Sequence, residues 1–198
     1  MEVEQFVVAY QADQDRLRAL LPAGFESLRP VLRLNAEVRD GRALYLELNT
    51  PVAAQGRRGW LNIGCWQTPA DELTCRQEGD SVTFQTPFLT ITYTRTGAVG
   101  GCPAEGDNDG TFYRRDGKTV FVPAEVIQAG RAFCGCTFRW SFSPTDAQGT
   151  SRGDKTLPAH PTPAQVRYPR QALTPQAAAA IPCLQVLGAY AVTFRREN

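Results

Sequence analysis

The chain has 198 residues, 42% of them hydrophobic, which is enough to bury a sizeable core within one domain spanning 1–198. Its 21 basic and 20 acidic side chains nearly cancel, and the pairs Arg57-Arg58, Arg114-Arg115 and Arg195-Arg196 stand apart, so nothing resembles the concentrated basic face of a nucleic-acid binder. Glu2 and Glu4 near the start and the lack of a long apolar run argue against a leader or a membrane-spanning helix, and the six cysteines then read as reduced thiols of a cytoplasmic protein.

In chain order, Phe6–Tyr10 reads as a short strand. A helix is predicted over Asp13–Leu21: Asp13 suits the N-cap, Asp15 the first turn, and Leu17, Leu20 and Leu21 recur on one face before Pro22 and Gly24 stop it. Strand signals then dominate. Val31–Val38 and Ala43–Leu48 alternate, and Leu61, Ile63 and Cys65 alternate against Trp60, Asn62 and Trp66. Val82–Phe84, Phe88–Tyr93, Thr119–Val122, Cys136–Phe142 and Val186–Phe194 are rich in β-branched and aromatic residues. Further helices are expected over Pro123–Ala132 and from Thr174 through Ala180, the latter with Pro175 in a favourable first position. Gly97–Gly110 and Ser143–Pro169 read as long irregular loops, the chain after them completing the same sheet. The expected fold is mainly β, a cone-like or barrel sheet with two or three short peripheral helices.

The hairpin around Asp40-Gly41 fixes a register. Leu32, Leu34, Ala36 and Val38 share one face and Arg33, Asn35 and Glu37 the other; Leu44, Leu46 and Leu48 oppose Tyr45 and Glu47. A two-residue loop would pair Leu34 with Glu47, mixing polar with apolar on both faces. A three-residue Asp40-Gly41-Arg42 connection pairs Asn35 with Glu47 and Leu34 with Leu48, and is therefore predicted.

Most chemical motifs fail on inspection. Cys134-Gly-Cys136 reads as a close-packed strand, because the only histidine, His160, lies in a proline-rich loop and leaves no spaced metal-ligand set; no metal and no cofactor are expected. That histidine is also the only base a Ser or Cys nucleophile could use. Gly97–Gly101 lacks the helix and Lys-Ser/Thr pair of a phosphate loop. Trp60, Asn62 and Trp66 share a face by alternation, which suits either an aromatic-lined cavity with one orienting amide or a filled core.

One resemblance is carried by order and spacing over the first third of the chain. A strand, an Asp-started helix ending Leu-Leu-Pro-x-Gly, the strand Pro30-Val-Leu-Arg-Leu, a Tyr-x-Glu strand at Tyr45–Glu47 and then Gly59-Trp60-Leu61 together resemble the start of the acetoacetate decarboxylase family. That resemblance implies Schiff-base decarboxylation of an oxo acid by a lysine of lowered pKa. The family's lysine segment, which follows the strand beginning at Gly59-Trp60, has no counterpart: there is no lysine between Leu61 and Tyr93, where Thr86-Pro87-Phe88 stands instead. The chain's two lysines, Lys118 and Lys155, lie in polar turns. Glu47 falls where the family carries a glutamate after a tyrosine, Asn35 where it presents a second glutamate, and the arginine expected before the first strand is replaced by Val3 or a neighbour.

Two function classes follow, with a third option of a decarboxylase whose lysine comes from an unexpected loop. The first is a binding protein, or degenerate family member, that holds a small oxo-acid-like molecule through Asn35, Tyr45, Trp60 and Asn62. The second is a lyase-like enzyme on a small carboxylic compound, with Glu47 as acid–base catalyst. A small-molecule ligand is the expected partner, with neither nucleic acid nor membrane, and a homo-oligomer is left open.

Overall fold

The computed structural model describes residues 1–98, 109–124, 127–142, 145–150 and 161–197. Strand β1 (Glu2–Gln11) leads into helix α1 (Gln14–Leu20), then β2 (Glu26–Ser27), β3 (Val31–Arg39), β4 (Ala43–Ala54) and β5 (Arg57–Gln67). These are followed by β6 (Thr74–Glu78), β7 (Ser81–Gln85), β8 (Leu89–Ala98), β9 (Gly110–Arg115), β10 (Lys118–Pro123), β11 (Ile127–Phe142) and β12 (Thr145–Thr150). Helix α2 (Pro175–Ala179) and β13 (Gln185–Arg196) close the order. All thirteen strands join one sheet, in the order β10-β9-β5-β4-β3-β1-β13-β11-β8-β7-β6, with β12 on β11 and β2 on β4. The path is open, so the described strands do not form the closed barrel that sequence reading allowed. Every pairing is antiparallel except β5 with β9. At that junction Gly59 meets β9 so closely that a methyl group on it would strike the Gly110 carbonyl, so a side chain there would push β9 away.

The sheet curls around its main apolar core. Phe6 of β1 touches Phe84 of β7 with ring centroids 5.6 Å apart, although those strands are four steps apart in the sheet order. Leu32, Leu34 and Ala36 of β3 and Leu46 and Leu48 of β4 join this core, as does the Phe138, Trp140, Phe142 face of β11. Helix α1 has the predicted cap, Asp13 Oδ1 accepting the Arg16 N–H at 2.9 Å. Leu17 and Leu20 seal one end of the main core, while Leu21 joins a smaller cluster with Val52, Leu61 and Phe112. Leu20→Ala is expected to cost about 2–5 kcal/mol, because the cavity would sit among rigid strands that cannot collapse into it. A chemical-denaturation midpoint equal to wild type would show that the helix is not docked this way.

The irregular chain before α2 is fastened along α1. Gln14 Oε1 accepts the Thr162 N–H at 2.7 Å, and Asp15 Oδ2 accepts the Gln165 and Val166 N–H groups at 2.8 and 2.7 Å. The third predicted helix is present as α2, where Thr174 Oγ1 accepts the Ala177 N–H at 3.1 Å. The helix expected over Pro123–Ala132 is overturned: β10 ends at Pro123 and β11 begins at Ile127. Val126, Ile127 and Gly130 are poor helix residues, and Ile127, Ala129 and Ala132 find ladder partners in β13, so tertiary pairing decides. Of the two expected loops, residues 99–108, 143–144 and 151–160 lie outside the described residues. The loop reading is overturned at Thr145–Thr150, which is β12 because it finds an antiparallel partner in β11, and β13 does return to the sheet, between β1 and β11. No helix among the described residues is long and apolar enough to cross a membrane.

The Cys134-Gly-Cys136 stretch is close-packed strand, as expected. Gly135 and Cys136 are buried, and burial first, then neighbouring Cys134, pushes the Cys136 thiol up to about 12. A thiol so raised stays protonated and unreactive. No group of potential ligands that could hold a metal occurs among the described residues.

Candidate functional site

The hairpin between β3 and β4 has the predicted odd loop. Asp40 and Gly41 both take left-handed backbone (φ 47 and 67), and the Arg42 N–H returns to the Arg39 carbonyl at 3.1 Å. Asn35 therefore pairs with Glu47 and Leu34 with Leu48. This one choice of register sends all the leucines into the core and gathers the polar residues on the opposite face.

Glu47 is the centre of that face. Its Oε1 accepts from Asn35 Nδ2 at 3.0 Å, Asn49 Nδ2 at 2.8 Å and Arg33 Nη2 at 3.4 Å. Its Oε2 accepts from the Tyr45 hydroxyl at 2.7 Å and Asn62 Nδ2 at 3.3 Å. Five donors thus surround a carboxylate that is only 4% exposed, which is how a charge is kept inside a protein. The Tyr45 hydroxyl also lies 3.4 Å from that of Tyr113. Burial, then the Glu47 charge, raises the Tyr45 hydroxyl far above the ordinary phenol range, so it stays a donor. Arg33 bonds Asn49 Oδ1 through Nε at 3.0 Å and stacks over the Trp60 ring, 3.7 Å from its centroid.

A second buried carboxylate lies on the same face. Glu37 receives Arg196 through two bonds of 2.5 and 2.9 Å, Arg39 Nε at 2.8 Å and Gln5 Nε2 at 2.9 Å. Arg39 in turn lies over the Tyr45 ring, 4.3 Å from its centroid, which links the two clusters. Burial alone would raise the Glu37 carboxyl, but Arg196 and then Arg39 pull it below the usual carboxylate range. Beside this polar band Val3, Val7, Tyr190, Val192 and Phe194 form an apolar flank.

Of the residues singled out from sequence, Asn35, Tyr45, Glu47, Trp60 and Asn62 are on this face and Trp66 is not. Asn35, Tyr45 and Asn62 each bond Glu47, and Trp60 is the floor beneath Arg33. The alternation fails one step later, since Asn49 pairs with Asn62 but Leu48 pairs with Gly64, leaving Ile63 as an extra residue. The bulge turns Trp66 to the core, where its ring meets Phe88 at 4.9 Å, and turns Cys65 to the Glu47 side. Trp66 therefore does not line this face with Trp60 and Asn62.

Sequence reading missed Asn49, Tyr113 and Arg196 as members. Asn49 was within reach, because it continues the Tyr45, Glu47 alternation past the expected strand end. Tyr113 arrives on the parallel-paired β9 and Arg196 on the last strand, and no local pattern foretells either. The cations that bond Glu37 in that corner are Arg39 and Arg196. Lys118 is exposed where the β9–β10 turn re-enters the ladder opposite Arg115, and Lys155 and His160 lie outside the described residues.

This fold is that of acetoacetate decarboxylase-like enzymes. The enduracididine biosynthesis enzyme MppR complexed with pyruvate matches with a TM-score of 0.60 at 12% identity, over 98% of this chain and 85% of that one. An acetoacetate decarboxylase-like enzyme from Sphingomonas wittichii matches at 0.53 and 14% identity, over 98% and 89%. Acetoacetate decarboxylase from Legionella pneumophila matches at 0.52 and 14%, over 100% and 86%. By sequence, no family model and no curated protein matches. The likeness is one of architecture, and the chemistry must be argued from this chain's own side chains.

Proposed function

We propose that this chain, acting as one domain in a reduced cytoplasmic setting, binds a small oxo-acid-like carboxylic molecule against the Glu47 face and does not decarboxylate it through a Schiff base. The observation that carries the reading is the buried donor set of Glu47. A carboxylate accepting five hydrogen bonds has its lone pairs filled and serves as an anchor that holds Arg33, Asn35, Tyr45 and Asn62 in fixed orientations. The half-exposed Arg33, Asn62 and Tyr113 with exposed Cys65 mark the side from which solvent reaches the cluster. MppR, which shares the fold, is complexed with pyruvate. Titration calorimetry with pyruvate and acetoacetate tests this: saturable binding is expected, weakened about tenfold or more in Glu47→Gln, where an amide N–H₂ replaces an acceptor. Absence of binding to wild type by these acids and by their hydroxy counterparts alike, or affinity unchanged in Glu47→Gln, would overturn it.

Schiff-base chemistry needs a lysine that is neutral at working pH, which burial or a cationic neighbour in an enclosed site provides. Lys118 sits exposed at a turn. Borohydride treatment in the presence of acetoacetate is therefore expected to leave no adduct mass on the protein, and carbon dioxide release should match buffer. Release that disappears in Lys118→Ala or Lys155→Ala would reverse this.

One observation favours an acid–base alternative. Tyr113, Tyr45 and Glu47 Oε2 form a chain of 3.4 and 2.7 Å, along which a proton could pass between the half-exposed Tyr113 and the buried carboxylate. Lyase-like activity lost in both Glu47→Gln and Tyr45→Phe would establish it.

A further inference from the structure

Resting on the reading of the Glu47 face as a binding site for a small carboxylic acid, we propose that its ligand carries an O–H donor near the carboxylate, so that the site selects a hydroxy acid over the matching oxo acid. Asn35 carries the argument. Its amide orientation is settled chemically: Glu47 Oε1 only accepts, so the atom 3.0 Å from it must be Nδ2. Oδ1 is then turned away from Glu47. Asn35 is 4% exposed, Oδ1 itself is buried, and no group among the described residues donates to it.

Among the described residues, none of its neighbours on β1 and β3 bonds to this oxygen. Across the ladder on the β1 side stands Val7, which has no side-chain N–H or O–H. The Gln5 amide on the same strand is directed to Glu37. Arg33, two residues before Asn35 on the same face, directs Nε to Asn49 and Nη2 to Glu47. A buried acceptor without a donor is costly, and a bound ligand that supplies an O–H removes that cost.

The complementary half of the site is a donor pair. Trp60 is 2% exposed and its Nε1–H is buried without a partner. The Arg33 guanidinium stacked on that ring has used Nε and Nη2, which leaves its Nη1 N–H groups. Together they suit a carboxylate. Arg33 and Asn35 are neighbours on one strand face, about 7 Å apart between Cα atoms, so an acid of three to five carbons could reach both. The keto oxygen of pyruvate or acetoacetate only accepts and would face Asn35 Oδ1 without a hydrogen bond. A hydroxyl, or the enol of an oxo acid, donates to it.

The experiment is a comparison of affinities by calorimetry for two pairs that differ only in O–H against C=O: lactate with pyruvate, and 3-hydroxybutyrate with acetoacetate. In at least one pair the hydroxy acid is expected to bind about tenfold or more tightly than its oxo partner. Asn35→Leu should bring that ratio close to one, whereas Trp60→Phe should weaken both members together and keep the ratio. If Asn35→Leu does not fold, the wild-type ratio and Trp60→Phe decide. Oxo acids binding as well as or better than hydroxy acids would overturn the donor requirement and leave the binding site standing. Failure of all four acids to bind at millimolar concentration would overturn the site itself.

Discussion

Replacing Glu47 with leucine is expected to lower the unfolding free energy by about 3–5 kcal/mol, the cost of removing one partner from a buried charged cluster. Five donors converge on this carboxylate, and four of the residues that supply them are themselves polar groups committed to it: Asn35, Tyr45, Asn49 and Asn62. Removing the acceptor leaves those N–H and O–H groups and the Arg33 guanidinium facing hydrocarbon. Glu47→Gln should cost less, because the amide oxygen still accepts from one side while its N–H₂ opposes the donors on the other. The order Glu47→Leu worse than Glu47→Gln is thus the signature of donors seeking an acceptor. Urea denaturation at constant slope measures it; a loss below about 1 kcal/mol in both variants would mean that the cluster is open to water.

A loss of similar size is expected at Glu37, with a pH dependence that identifies its cause. Glu37 is 1% exposed and holds Arg196 and Arg39 together with Gln5, so Glu37→Gln strands two guanidinium groups and should cost about 3–5 kcal/mol near neutral pH. Its carboxyl is held below the usual range, which fixes the sign. A group of lowered folded pKa contributes fully above its unfolded value, about 4.3 for a glutamate, and that contribution is lost as pH falls through the lower folded value. The stability gap between wild type and Glu37→Gln should therefore be widest near neutral pH and narrow steadily below about pH 4. A gap that stays constant from neutral pH down to about pH 3 would show that the ion pairs with Arg196 and Arg39 do not set the stability of this corner.

The local pattern of the chain determined much of this. Alternation of period two assigned the faces of β3 and β4 residue by residue, and the clash of polar with apolar partners under any even loop decided the hairpin register. Asn35, Tyr45 and Glu47 were brought together by that argument alone. The caps Asp13 and Thr174 marked both helices, since capping is a contact within one turn. Tertiary structure decided what period two cannot express. The extra residue Ile63 reverses the sides of Cys65 and Trp66, because a bulge shifts alternation by one and is set by the partner strand. Residues 127–132 are strand, not helix, because they find ladder partners in β13, far away in sequence. Tyr113 reaches Tyr45, and Arg196 reaches Glu37, across separations of 68 and 159 residues. A buried charge must find its partner wherever the fold delivers one, and only the folded sheet shows which side chain that is.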